Sequence, residues 1–156
     1  MNEHLTLDEQ ACNYQTLLHI MRVRDLMNEV INNLLHRAQI HDQSKLAAPE
    51  VALFTKYTPL LAACTYGSEQ YNEYKAGLKV ALDHHYANNR HHPEHHKRGV
   101  DDMTLLDLIE MLIDWKAASE RHNDGNIRKS IEINGRRFNM SPQLIEVFEN
   151  TAKELF

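Results

Sequence analysis

The stretch "TLLDLIEMLIDWKAASERH", Thr104 to His122, decides how this chain folds. It is the most helical segment of the sequence. Thr104 offers a side-chain cap and Asp107 follows three residues later, the spacing of a reciprocal capping pair. One residue breaks the apolar pattern: Asp114 lies between Leu112, Ile113 and Trp115. Aspartate is a poor helix former, and a buried carboxylate is costly unless it is paired or bound to a cation. Glu110 and Asp107 precede Asp114 by one and two turns, so the three can share a face. The segment therefore predicts a core helix that also carries acid into the interior.

Outward from this helix, the same period recurs. Residues 8–40 place Leu18, Met21, Val23, Leu26, Met27, Val30, Ile31, Leu34 and Leu35 at three- and four-residue spacing, which predicts helix with one break. His19 falls on the edge of that apolar face. Pro49 can open a further helix, which the sequence predicts to be interrupted at Thr58-Pro59. Ser68 is a candidate cap for a Tyr-rich helix over "EQYNEYKAGLKVALDHHYANN". "NRHHPEHHKRGVDD" reads as a polar loop, and "NDGNIRKSIEINGRRFNMS" as irregular, with a short hairpin around Asn134-Gly135. "SPQLIEVFENTAKELF" closes the chain as an amphipathic helix. The expectation is an all-α protein, one domain over residues 1–156 with about five to seven helices.

Composition narrows the class. The chain has 156 residues, 42% hydrophobic and 25% charged, which is ordinary for a water-soluble domain. A net charge of −5 argues against an extended nucleic-acid surface. No apolar run approaches the roughly 18 residues that a membrane span needs. The first residues, "MNEHLTLDEQ", do not read as a signal peptide. Cys12 and Cys64 lack CxxC spacing and suit reduced thiols, so a cytoplasmic location is expected, the host cytoplasm if the chain is phage-encoded.

The sequence contains eleven histidines, of which His84, His85, His91, His92, His95 and His96 fall in one short window. Metal sites in helical proteins draw ligands from separate helices that face a common interior. Four places supply such ligands: His19, the His41-Asp42 pair, His84 or His85, and Asp114. Lys45, three residues after Asp42, can neutralise a phosphate oxygen or simply sit near a helix C-terminus, where cations are favoured. Competing structural roles are clear for others. Asp107 suits capping and Glu110 suits orienting a ligand histidine. His36 suits an exposed helix face, and His95 and His96 suit a solvated loop. Tyr71, Tyr74, Phe138 and Phe148 suit the core. "NDGN" around Asp124 lacks the remainder of a calcium loop.

The order "HIMRV", "LLHRAQIHDQSK", "LIDWKAAS" resembles the three motifs of the HD-domain metal-dependent phosphohydrolase superfamily, over roughly residues 15 to 122. The 22 residues from His19 to His41 suit two antiparallel helices in such a fold. "ALDHHYANNRHHPEH", "DLIEMLIDWKAAS" and "SIEINGRRF" resemble more closely a small family of phage and bacterial HD-like proteins, from which no function carries over. The superfamily resemblance implies His19, His41, Asp42 and Asp114 as metal ligands in an HD-like helical bundle. It also implies that a second ion would take histidines from the middle window, with His84 and His92 the first choices and Asp42 bridging. The histidines are closer together here than in that pattern, so His85, His91 and His95 stay open as alternatives. The implied cofactor is a divalent transition metal (Mn, Fe, Co, Ni or Zn), one or two ions, because imidazole with carboxylate suits these better than Mg.

Catalytic roles are expected for Asp42 and Lys45, and substrate contacts for Lys45, Arg121, Lys129 and Arg137, with Arg136 nearby. The expected activity is hydrolysis of a nucleotide or related small phosphoester by a metal-activated water. Two other classes compete. One is an HD-fold di-iron oxygenase, and the other a non-catalytic protein that binds a nucleotide or a host factor. The expected partner is a small phosphorylated substrate, with a nucleotide the first choice, and a homodimer is compatible with the sequence.

Overall fold

Apolar residues at helical spacing and few glycines give helices over most of the described residues. The computed structural model describes residues 5–64, 68–121 and 125–156, and these contain seven α-helices and no strand. The fold is all-α, as the sequence predicts. The chain forms two compact units, Met1–Gln39 and Ile40–Phe156.

The first unit is one helix, α1 (Leu7–Ile40). Thr6 and Glu9 start it reciprocally: the Glu9 amide donates to Thr6 Oγ1 at 3.2 Å, and Thr6 N donates to Glu9 Oε2 at 2.7 Å. The expected break is absent, and so is the antiparallel pair expected between His19 and His41. The segment holds neither proline nor glycine, so no residue in it terminates the helix. At about 1.5 Å per residue, His19 and Gln39 lie about 30 Å apart along α1.

In the second unit a 3-10 turn (Gln43–Leu46) leads to α2 (Glu50–Ala62), α3 (Glu69–Gly77) and α4 (Lys79–Asn88). Two further 3-10 turns, Pro93–His95 and Gly99–Asp102, lead to α5 (Leu105–Ser119), α6 (Ile127–Arg137) and α7 (Pro142–Leu155). Helix α2 runs through Pro59 rather than stopping there. The proline lacks only the N–H that would have bonded the Thr55 carbonyl. The Tyr-rich segment is two helices, not one, joined at Leu78. Gly77 ends the first of them against the ring of Tyr57, where a β-carbon would collide. Ser68 caps α3, accepting from Tyr71 N at 3.1 Å.

The hairpin expected at Asn134-Gly135 is instead the last turn of α6. Tertiary packing overrides the local turn signal. A β-carbon on Gly135 would stand 3.0 Å from Ile145 Cδ1, so glycine lets α6 and α7 approach. The left-handed residue falls later, at Asn139 (φ 49°), where Met140 N bonds Gly135 O at 2.9 Å and Asn139 N bonds Arg136 O at 3.3 Å. That pair of bonds is a Schellman ending.

Helices α5 to α7 build the apolar core around Met111, Leu112, Ile131, Met140, Phe148 and Ala152. Trp115 lies stacked on Phe138 at 6.3 Å and edge-on to Phe148 at 5.8 Å. At the start of α5, Asp107 accepts from Thr104 N and Thr104 Oγ1, both at 2.8 Å, completing the capping box. It is fully buried and also pairs with Arg90 at 3.2 Å.

Candidate metal centre

The centre is assembled from four pieces of the second unit. At its start the chain turns sharply, with Asp42 in the left-handed region at φ 56°. Aspartate is among the few non-glycine residues that tolerate that conformation, and such backbone strain concentrates at functional sites. The turn aims both His41 and Asp42 inward. On α5, Glu110 and Asp114 share a face at i, i+4 spacing. On α4, adjacent residues diverge by about 100°, so His85 is 2% exposed and His84 is at the surface edge. After α4 the chain turns at Asn89, bringing His91 and His92 back towards His85; His91 is 1% exposed.

Seven residues converge in three overlapping groups; Glu110 with His41 and His91 makes one, and Asp42 joins the other two. Asp42, His85, His91 and His92 place one donor atom each within 4.8 Å of one another, and so do His41, Asp42 and Asp114. Asp42 belongs to both. Its Oδ1 faces His85 Nε2 at 3.3 Å and His91 Nε2 at 3.6 Å. Its Oδ2 faces His41 Nε2 at 3.6 Å and receives the Lys45 ammonium at 2.5 Å. Asp114 Oδ1 lies 3.6 Å from the same His41 nitrogen.

Two glutamates fix which imidazole nitrogen faces inward. Glu110 Oε1 accepts from His41 Nδ1 at 2.9 Å and is 3.2 Å from His91 Nδ1. Glu50, completely buried, accepts from His84 Nδ1 at 2.7 Å through Oε1 and from His85 Nδ1 at 2.9 Å through Oε2. Because a carboxylate only accepts, each of these Nδ1 atoms carries a proton, and where the ring is neutral its Nε2 presents a lone pair. Two such lone pairs, from His85 and His91, point at Asp42, whereas His41 Nε2, 3.6 Å from both Asp42 Oδ2 and Asp114 Oδ1, carries a second proton while no cation is bound. His85 Nε2 also lies 2.9 Å from His92 Nε2. Lone pairs and carboxylate oxygens repel at these distances unless a cation or a proton lies among them.

Two further observations fit that electron-rich arrangement. Asp42 Oδ1 and His91 Nε2 are buried without a hydrogen-bond partner, and they face each other. Such orphaned polar atoms are rare in proteins and expensive. Proton affinities are also driven apart. Hydrogen bonds to Asp114 and Glu110 push His41 up to about 10, whereas burial and the nearby His91 and His85 push His92 down to about 3. Burial works to raise Asp42, but the bonded Lys45 outweighs it and holds the carboxyl below its ordinary value. His85 is lowered by burial and by Lys45. The donor set, nitrogen with carboxylate oxygen, fits divalent transition metals.

The structure thus gathers His41, Asp42, His92 and Asp114 of the residues predicted as ligands. His19 lies on α1, in the first unit, and is not a member of any of these groups. His84 is turned onto Glu50, and His85 takes the inward place; the open choice in the middle window falls on His85, His91 and His92. His95 and His96 are not solvated loop residues: His95 Nδ1 donates to Tyr86 O at 2.8 Å and His96 Nε2 to Arg90 O at 2.9 Å. Of the expected anion contacts, Arg137 pairs with Glu94 at 2.8 Å and Arg136 pairs with Glu132. Lys129 lines a groove on α6 and α7, and Arg121 follows α5 as an exposed residue. His122 and Asp124 lie outside the described residues. Glu50 was invisible in sequence, because an acid after proline reads as an ordinary first-turn helix residue.

Fold and site together define an all-helical protein with a half-buried histidine–carboxylate cluster able to hold metal. Within that class, the chain belongs to a family of unknown function, DUF5662, which it matches over residues 8–154. No curated protein and no solved structure matches it. Among the described residues no helix is long and apolar enough to cross a membrane.

Proposed function

We propose that this protein is a metal-dependent phosphohydrolase with a two-ion centre, acting on a nucleotide or related small phosphoester. The observation that carries the reading is Asp42: its two oxygens face two different donor groups, the placement of a carboxylate shared between ions. The likeness of its motifs to HD-domain phosphohydrolases supports the same reading. His85, His91 and His92 with Asp42 Oδ1 would hold one ion, and His41 and Asp114 with Asp42 Oδ2 the other. Mn, Fe, Co, Ni or Zn in such a set lowers the pKa of a coordinated water towards neutrality and polarises a phosphoryl oxygen.

The chain's own residues do the rest. Glu110 and Glu50 hold the imidazoles with Nε2 inward, so the centre needs little rearrangement on loading. Lys45, beside Asp42 Oδ2 and partly exposed, is placed to exchange that carboxylate for a substrate phosphate oxygen. Water attacks phosphorus, the ester P–O bond breaks, and the water's proton leaves with the alcohol. Arg121 and Lys129, which are exposed, remain candidate anion contacts.

The test is a panel of nucleotides and phosphomonoesters with each metal, reading released phosphate or nucleoside. Turnover that Asp42→Ala abolishes supports the proposal. A metal-loaded protein that turns over nothing on that panel overturns it. Because the imidazole-rich group also suits iron, two irons per chain with substrate-dependent O₂ uptake would favour the oxygenase reading instead.

A further inference from the structure

We infer that Glu50 is a positioning residue of the metal centre, holding His85 in the Nδ1–H form so that its Nε2 is a ligand. The inference rests on the proposed metal centre and adds a residue that touches no ion. Glu50 is completely buried at the first turn of α2, and both of its oxygens bond neighbouring rings, with the Ser44 hydroxyl as a further donor. Oε1 takes His84 Nδ1 at 2.7 Å and Oε2 takes His85 Nδ1 at 2.9 Å. A buried carboxylate is costly unless compensated, and the two α4 rings supply that compensation. What the carboxylate accomplishes is to decide a tautomer. Ser44 Oγ and Asn89 Nδ2 also lie 3.3 and 3.0 Å from His85 Nδ1. A hydroxyl can donate or accept and an amide N–H₂ only donates, so the Glu50 carboxylate is the partner that requires the proton on Nδ1 and leaves the Nε2 lone pair free.

The two oxygens have different roles. His85 is 2% exposed, and its Nε2 faces Asp42 Oδ1 at 3.3 Å. The His84 ring is 39% exposed and belongs to no donor group. His84 is therefore a partly exposed second partner of the carboxylate, and His85 is the residue acted upon. Glu110 plays the corresponding part for His41 and His91, one from each donor group, so Glu50 acts on the imidazole-rich group alone.

Glu50→Gln keeps shape and removes one acceptor, leaving an amide N–H₂ against one of the two rings. Cobalt(II) is the probe, since its visible absorption reports coordination. We expect Glu50→Gln to retain the helical circular dichroism of the parent but to bind cobalt at the imidazole-rich group about 10- to 100-fold more weakly. Binding at His41, Asp42 and Asp114 should stay within about threefold. His84→Ala should leave both affinities within the same threefold. Wild-type affinity and spectrum in Glu50→Gln overturn the inference, as does a loss in His84→Ala equal to that in Glu50→Gln. A second measurement needs no variant: imidazole ¹⁵N shifts of the metal-free protein should show His85 protonated at Nδ1, and the opposite tautomer overturns the inference. If the parent binds cobalt, Glu50→Gln weakens it, and no phosphoester is hydrolysed, the proposed activity fails while the role of Glu50 stands. A parent that binds no ion sinks both.

Discussion

Helix α5 contributes to two groups of residues built on opposite principles, one buried and one half-buried. Met111 and Leu112 join Ile131, Met140, Phe148 and Ala152 in an apolar core. Glu110 and Asp114, on the same helix, join His41, Asp42 and His91 in a polar one. The apolar group is held by area removed from water, a non-directional term that tolerates exchange of similar shapes. The polar group is held by oriented hydrogen bonds, and it leaves Asp42 Oδ1 and His91 Nε2 unpartnered. One group stabilises the unit; the other is suited to hold a cation, at a cost in stability. Variants in the two groups should therefore separate into different measurements.

The largest effect is expected at Asp42. Asp42→Ala should reduce turnover to background and remove binding in both donor groups, measured by metal content after dialysis. Retention of two ions would show that the groups do not share this carboxylate. Next comes Phe148→Ala, buried and packed on Trp115, which should lower stability to denaturant by about 3–5 kcal/mol. Metal affinity measured below the unfolding transition should not change; if it falls in step, the two groups are one cooperative structure. Asp107→Asn should cost about 1–3 kcal/mol, because a buried acceptor of two Thr104 bonds and an Arg90 ion pair loses its charge.

The smallest effect is a pH dependence of the chelator-treated protein, read as melting temperature. His41, held up to about 10, contributes stability that is complete below its ordinary value of 6.5 and is lost as pH rises through about 10. His92, pushed down to about 3, cannot take the proton that the unfolded chain binds below 6.5, so stability falls as pH drops from 6.5 towards 3. Asp42 and Asp114, both lowered, act in the same acid-side direction as His92. A maximum near neutral pH follows, shifting by a few degrees. His41→Asn should flatten the alkaline side alone. An unchanged alkaline limb would break the assignment.

Much of the fold was legible because helix signals are local. The capping box at Thr104-Asp107, the Ser68 cap and the final amphipathic helix α7 all form where their residues predict. The misreadings share one cause. Pro59, Gly77 and Gly135 are punctuation marks whose outcome is set by what packs against them: α2 continues, one helix becomes two, and a hairpin signal is absorbed into α6. In α1 the error ran the other way, since a break was expected where no residue causes one.

The site divides along the same line. By itself the sequence determined that His41, Asp42 and Asp114 are candidate ligands, because an acid inside an apolar helix and a His-Asp pair at a helix end are local anomalies. It also placed histidines from His84 to His96 in one short segment. Only the tertiary structure decided among them. The phase of α4 sends His85 inward and His84 to Glu50, and the turn at Asn89 buries His91. Glu50 acquires a role only when α2 packs on α4. Ligand identity follows residue chemistry, which sequence carries; orientation follows helix phase and packing, which arise only when distant segments meet.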